Sequence, residues 1–242
     1  MGVAPYYSEY SWVKYFSNMK DGRHRYSTEK FLSKESKEKL LHLDGGSSIL
    51  DFGCGAGELL IYYAPNYDNV VGVDFSSSML DEAKKKVTEQ RYKNVRLIEA
   101  DDKKVWNELT TSFDRITATQ VLQYLTFEQI DNFIANASYH LNNNGKMAFF
   151  DIIDPRSYVL WKIGFFSEKI HYWKLLTTIF VGLCDRVFIS LNKSPVDIIG
   201  YSHSPHEIEK IANKHGFEME YIKSVYYEYR YHAILSKNSN GI

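Results

Sequence analysis

Short apolar runs, separated by longer stretches of helical period, organise this chain. Residues 49–52, 70–74, 95–100, 113–120 and 146–152 are brief and largely apolar, which suits strands covered on both faces. The intervening segments read as helices. In 76–91, Ser76 stands where an N-cap is wanted, Asp81 and Glu82 suit the first turn, and Lys84, Lys85 and Lys86 make a solvated face. Residues 127–141 form a second helix, and Asn142-Asn143-Asn144-Gly145 then reads as a turn. Upstream, 33–43 reads as an amphipathic helix stopped by Asp44-Gly45-Gly46. Downstream, Ser204, Pro205 and Glu207 fall at N-cap, N1 and N3 of a helix that stops at Gly216. Residues 217–223 and 229–235 then close the chain as an antiparallel hairpin. Strands alternating with helices predict an α/β fold.

One junction in this pattern carries chemistry. Ile49-Leu50-Asp51-Phe52 runs into Gly53-Cys54-Gly55-Ala56-Gly57, so a buried strand enters a turn where bare backbone can approach a ligand. A helix after the turn is expected to aim unpaired N–H groups at that ligand. The next strand, Val70-Val71-Gly72-Val73, ends in Asp74, at the distance where a ribose-binding acid sits in nucleotide-binding α/β folds. A dinucleotide site wants Gly-x-Gly-x-x-Gly, but Glu58 occupies the last place and Gly57 comes one residue early. Asp51, just before the turn, would repel a pyrophosphate. It suits a ligand carrying an ammonium and a sulfonium.

Asp51-x-Gly53-x-Gly55-x-Gly57, followed by Val71-Gly72-Val73-Asp74-Phe75-Ser76, resembles the first two motifs of class I S-adenosylmethionine-dependent methyltransferases. The resemblance covers 47–152 closely and 201–236 in outline. It implies a Rossmann-like seven-stranded, mostly parallel sheet with a reversed last strand and helices on both faces; the aromatic-rich segment after 152, which the resemblance does not cover, is read from its composition as a helical cap insert. It also implies S-adenosylmethionine as cofactor. Asp51, Gly53, Cys54, Gly55, Gly57, Asp74, Phe75, Ser76 and Met79 would then line the cofactor site, with the turn amides meeting the methionine carboxylate. Asp101, or else Asp102, would take the adenine amino group, and Gln120, Val121 and Tyr124 would lie beside the transferred methyl. The fourth segment lacks the Asn-Pro-Pro-Tyr sequence of amino-methylating DNA enzymes and glutamine methyltransferases, which argues against a nucleobase or amide acceptor.

Composition narrows the partners. With 242 residues, a net charge of −1 and 24% charged residues, the chain suits one domain and has no basic field for nucleic acid. Its two cysteines, Cys54 and Cys184, form neither a disulfide framework nor a metal pattern, so we expect no metal and a reducing, cytoplasmic setting. The first residues lack a secretory pattern. Aromatics stand out at 15%, 19 of them Tyr.

Those aromatics define the expected outer parts. Residues 1–46 are read as an N-terminal helical lid, 47–152 as the cofactor-binding core, 153–199 as the cap and 200–242 as the last helix and hairpin. Tyr6, Tyr10, Trp161 and His171 are the candidate substrate-binding residues. If the acceptor must shed a proton, His203 is the candidate base and Tyr201 the second choice. The expected activity is methyl transfer to a hydroxyl or amine of a small molecule, a metabolite or sugar intermediate. Alternatives are a non-catalytic protein that holds S-adenosylmethionine or S-adenosylhomocysteine, a methyltransferase acting on a lipid-linked acceptor at a membrane surface, and a nicotinamide oxidoreductase on a related fold. The aromatic and lysine-bearing insert motivates the membrane reading.

Overall fold

The structure is a computed structural model and describes residues 29–162 and 201–237. Seven strands form one sheet in the order β3-β2-β1-β4-β5-β7-β6. They are β1 (Ser48–Phe52), β2 (Asn69–Asp74), β3 (Val95–Glu99), β4 (Phe113–Thr119), β5 (Leu141–Ile153), β6 (Phe217–Lys223) and β7 (Arg230–Lys237). The first five are parallel to one another, and β7 runs antiparallel to both β5 and β6. The expected reversed last strand is therefore present.

The helices are α1 (Glu29–Leu41), α2 (Leu60–Tyr63), α3 (Ser77–Glu89), α4 (Val105–Glu108), α5 (Phe127–Tyr139), α6 (Pro155–Lys162) and α7 (Pro205–Lys214). Strand side chains alternate between two cores, as a period of two requires. Ile49 joins Leu43, Leu60, Tyr63, Leu80 and Ala83, which belong to α2, α3 and the end of the α1 segment. Leu50 joins Val105, Ile130, Phe133, Ile134 and Ile208, from α4, α5 and α7. Ile49 and Leu50 are both fully buried, and each such side chain contributes about 1.5–3 kcal/mol.

Turn chemistry fixes the helix ends. Thr126 caps α5 and Ser204 caps α7, each in a reciprocal capping box with Gln129 or Glu207. Ser76 occupies the N-cap of α3, but its hydroxyl meets the Ser78 hydroxyl at 3.0 Å instead of a helix amide. Asp81 and Glu82 lie one turn too late to help the start of that helix.

Three further expectations need correction. The helix after the glycine turn is the single turn α2, too short to present a strong N-terminal dipole. The Asn142–Gly145 segment is an irregularity inside β5: pairing jumps from Phe113↔Leu141 to Arg115↔Lys146. Gly57 faces α3, where its φ of +75° and a Cβ only 2.9 Å from Ala83 Cβ leave no room for a side chain. Of the proposed cap only α6 falls within the described residues.

Gly57→Ala should therefore destabilise the protein by about 1–3 kcal/mol, from strain and overpacking. Urea denaturation of variant and parent measures it.

Candidate cofactor and active site

The C-terminal ends of the parallel strands converge on one cavity of about 250 Å³. This is the edge where open α/β sheets bind ligands. β1 supplies Asp51 and Phe52, and the glycine turn follows. β2 ends in Asp74, the β3 end leads to Ala100, Asp101 and Asp102, and β4 runs through Thr119 into Gln120 and Val121. Every residue expected at the cofactor lines this cavity except Gly57: Asp51, Gly53, Cys54, Gly55, Asp74, Phe75, Ser76, Met79, Asp101, Asp102, Gln120, Val121 and Tyr124.

The turn is held by its own backbone. Gly53 and Cys54 N–H both donate to Val73 O, at 2.7 and 2.9 Å, and Gly57 N–H to Cys54 O at 3.0 Å. Gly55 N–H donates to Asp74 Oδ2 and Ser76 N–H to Asp74 Oδ1, each at 2.9 Å. These amides are already partnered, as buried amides must be, so they do not form the free anion cradle expected from sequence. Gly55 is different on its side-chain face: a Cβ built there meets nothing within 4 Å, and the residue lines the cavity. The bare backbone opens onto ligand space.

Asp51 is a buried carboxyl with a strongly raised pKa. It is 2% exposed and accepts from Thr117 Oγ1 at 3.0 Å. Burial pushes its pKa up to about 7; the Thr117 bond opposes this and the Asp74 charge adds to it. Asp74 is raised too, by burial against the pull of its loop amides. Asp101 Oδ1 accepts the Lys103 and Lys104 amides at 3.1 and 2.8 Å, and Asp102 Oδ2 accepts from Gln129 Nε2 at 3.2 Å. Each carboxylate oxygen has two lone pairs, so both keep acceptor capacity for a ligand.

The sequence reading missed the wall formed by α1. Leu32, Glu35 and Lys39 line the cavity, and Tyr227 joins them from the β6–β7 connection. Lys39 Nζ lies 3.0 Å from Glu35 Oε1 and 2.9 Å from Asp151 Oδ2, with its side chain fully buried. Burial works against the Lys39 charge, but the Asp151 and Glu35 carboxylates outweigh it and raise its pKa. Burial likewise works against the Asp151 charge, and Lys39, His232 and Arg230 overcome it and lower that pKa. Glu35 goes the other way: burial raises it despite Lys39, and the Asp151 charge adds to the rise. His232 is lowered by burial. Its Nδ1 accepts from Asp151 N–H at 3.1 Å, leaving Nε2 to donate to Glu38 Oε1 at 3.3 Å. Arg230 completes the cluster by donating to Asp151 O at 2.6 Å.

Two backbone distortions aim residues here. Asp151 has φ +59° and Gln120 φ +58°, each costing on the order of 1–2 kcal/mol. Around Asp151 the β5–β7 register shifts between Phe149↔Ala233 and Ile152↔Tyr231. One extra residue on β5 makes a bulge, which re-aims a side chain. The hydrophobic pattern could not show this.

The proposed catalytic pair is elsewhere. His203 is 1% exposed, its Nε2 is 2.9 Å from Leu122 O, and it does not line the cavity. Burial lowers its pKa. Tyr201 is held through its N–H on Gln123 O at 2.7 Å and is also absent from the lining. Both residues fasten the 201–204 segment to the turn that carries Tyr124. Their placement gives them a structural task. Trp161 lies on α6, without a described side-chain environment, and Tyr6, Tyr10 and His171 lie outside the described residues. Among the described residues no cluster could hold a metal ion, and no helix is long and apolar enough to cross a membrane.

The fold and the acid-rimmed glycine turn define an α/β nucleotide-type site. Comparison with known proteins makes it specific. Residues 49–145 match the methyltransferase domain family. A probable S-adenosylmethionine-dependent methyltransferase of Saccharomyces cerevisiae is 29% identical over 115 residues, 47% of this chain and 38% of its own length. Cyclopropane mycolic acid synthase 2 of Mycobacterium leprae is 28% identical over 59% of this chain and 50% of its own length. The ubiquinone biosynthesis O-methyltransferase of Coxiella burnetii is 28% identical over 75% of this chain and 68% of its own length. The chain thus spans half or less of the length of the first two relatives. Among solved structures, an S-adenosylmethionine-dependent methyltransferase from Clostridium acetobutylicum superposes with a TM-score of 0.61 at 17% identity, covering 93% of this chain and 98% of that one. Magnesium protoporphyrin IX methyltransferase from Synechocystis, solved with S-adenosylhomocysteine, superposes with a TM-score of 0.60 at 18% identity, covering 91% and 88%. Residues 49–145 thus match a methyltransferase domain, and the solved S-adenosylmethionine-dependent methyltransferases share the fold of the chain.

Two predictions follow from the buried charges. Lys39→Ala leaves Asp151 buried without its ammonium and should cost about 3–5 kcal/mol of stability, measured by urea denaturation. The second concerns Asp51, whose folded pKa of about 7 lies above the ordinary aspartate value of 3.8. The folded state then holds a proton that the unfolded state has released. The contribution of Asp51 to stability is therefore full below pH ~4, falls by up to about 1.4 kcal/mol per pH unit as pH rises to ~7, and is flat above. Asp51→Asn should remove that slope from a stability–pH profile.

Proposed function

We propose that this protein transfers a methyl group from S-adenosylmethionine to a hydroxyl or amine of a small-molecule acceptor. The carrying observation is the cavity itself, with Gly55 bare toward it, Asp74 at the end of β2 and Asp51 beneath the turn. The residues fit the cofactor chemically. Asp74 is our ribose-binding residue and Asp101 our adenine-side acceptor, with Asp102 beside it. Asp51 is the counter-charge for the ammonium and sulfonium. Gln120, Val121 and Tyr124 flank the reacting centre.

When bound, the cofactor supplies an activated methyl with a good leaving group. The protein then has to align the acceptor and exclude water. Phe52, Leu125, Val121 and Tyr124 are among the apolar residues of the lining. Residues 153–199 remain our proposed cap over the acceptor, with Trp161 and His171 in it, and Tyr6 and Tyr10 in the proposed lid. The relatives do not fix the acceptor: one is named for O-methylation in ubiquinone biosynthesis and another for cyclopropane formation on mycolic acids.

Asp74→Asn keeps one carbonyl oxygen for the loop amides and removes the charge. It should weaken S-adenosylmethionine binding by about 1.5–3 kcal/mol, and Gly55→Val should abolish it. Calorimetry with S-adenosylmethionine and with NAD reads both variants. A parent protein that binds NAD, or neither compound, would overturn the proposal.

A further inference from the structure

The cofactor residues come from β1 to β4. The wall added by α1 is tied to the other half of the sheet, through Asp151 on β5 and Arg230 and His232 on β7. That wall holds one carboxyl that faces the cavity and has no cofactor task in the family motifs, Glu35. We propose that Glu35 is the acceptor-side base, that it receives a proton from a small organic amine bound as its ammonium, and that Lys39 and Asp151 are positioning residues for it. This rests on the methyltransferase reading above.

Three observations carry the assignment. First, Glu35 is held in place: Oε1 is fixed on Lys39 Nζ at 3.0 Å, and Lys39 is fixed in turn on Asp151 Oδ2 at 2.9 Å. A base must be held to work as one. Second, Glu35 and Asp151 share one ammonium and differ in neighbours. Asp151 also has His232 and Arg230 beside it and stays ionised, whereas Glu35 is pushed upward by burial and by the Asp151 charge. Of the two carboxyls, Glu35 takes the proton, the division of labour expected where environments push paired groups apart. Glu38 bonds His232 on the far side, and the Tyr227 phenol is raised by burial and by the charges of Glu35 and Asp151, so it stays protonated. Third, the lining carries Glu35, Asp51, Glu58, Asp74, Asp101 and Asp102 against Lys39 as its one cation among the described residues, and Lys39 is already neutralised. Such a wall attracts an ammonium and repels a carboxylate or phosphate.

The step is a proton transfer. An N–H bond of the ammonium breaks, an O–H bond forms on Glu35, and the electron pair stays on nitrogen as the nucleophile. The proton returns to water when product leaves.

The test uses the full chain. Glu35→Gln is isosteric and keeps an oxygen for Lys39. Calorimetry with S-adenosylhomocysteine should give parent and variant affinities within about threefold. With labelled S-adenosylmethionine and an acceptor from a panel of primary and secondary amines, the variant's kcat at pH 7 should fall about a hundredfold or more. Its residual rate should climb with pH as more amine becomes free base, while the parent's levels off. A second readout needs no turnover. The Glu35 ¹³C-carboxyl resonance, assigned by its absence in Glu35→Gln, should titrate above the ordinary glutamate range. With S-adenosylhomocysteine present it should shift on adding butylammonium and not on adding butanoate. An unchanged rate and pH profile, or a resonance indifferent to butylammonium, would overturn the proposal. So would lost S-adenosylhomocysteine affinity in the variant, which would put Glu35 on the cofactor. Failure of the parent to bind S-adenosylmethionine is a different result and strikes the methyltransferase reading itself.

Discussion

A single ammonium, that of Lys39, ties the two halves of the site together. It is fully buried and lies between Glu35 on its own helix and Asp151 on β5. Removing such a charge from water costs several kcal/mol, recovered only where the partner geometry is good and the remaining polar atoms are satisfied. The protein brings partners to this charge by distorting itself, with a bulge in β5, a left-handed Asp151, and His232 and Arg230 drawn in from β7, while Glu38 Oε2 and Arg230 Nε stay buried without a hydrogen bond. In return α1 is fixed over the open edge of the sheet, and the cavity gains a wall that the parallel strands alone do not supply.

The cavity is built around carboxylates that are costly to ionise. Asp51 and Asp74 both have raised pKa values because burial outweighs their hydrogen bonds. Asp51 beneath the glycine turn and Asp74 at its side are too close to ionise without mutual cost. A cationic ligand relieves that cost and an anionic one adds to it. This makes the site selective for positive charge before any specific contact is counted, consistent with a sulfonium cofactor and with an ammonium acceptor. The same physics separates Glu35 from Asp151, since both face Lys39 and only Asp151 has a second cation, Arg230, at hand.

Much of this was legible in the sequence. Two apolar strands ending in Asp51 and Asp74, with three glycines between them, specify a turn, a crevice and a charge preference through local rules alone. Strand period, the capping box at Ser204, and the spacing from Gly53 to Asp74 are all properties of neighbours along the chain. They anticipated the sheet and nearly every residue that was expected at the cofactor and lines the cavity.

Tertiary structure decided the rest, because it inverted the usual reading of one helix. The pattern of α1 reads as an amphipathic helix with its charges in water. Instead Glu35, Ser36, Glu38 and Lys39 are buried while Leu41 is 76% exposed. No periodicity can announce that, since burying a charged face is favourable only when partners far along the chain complete it, here Asp151 and His232. The same holds for His203. Its place before a capped helix suggested the mouth of the crevice, yet it packs against Phe127 with its ring nitrogen on Leu122 O. Local sequence determines which backbone a segment adopts. Which side chains meet across the sheet depends on strand order and on a one-residue bulge, and these exist only once the chain has folded.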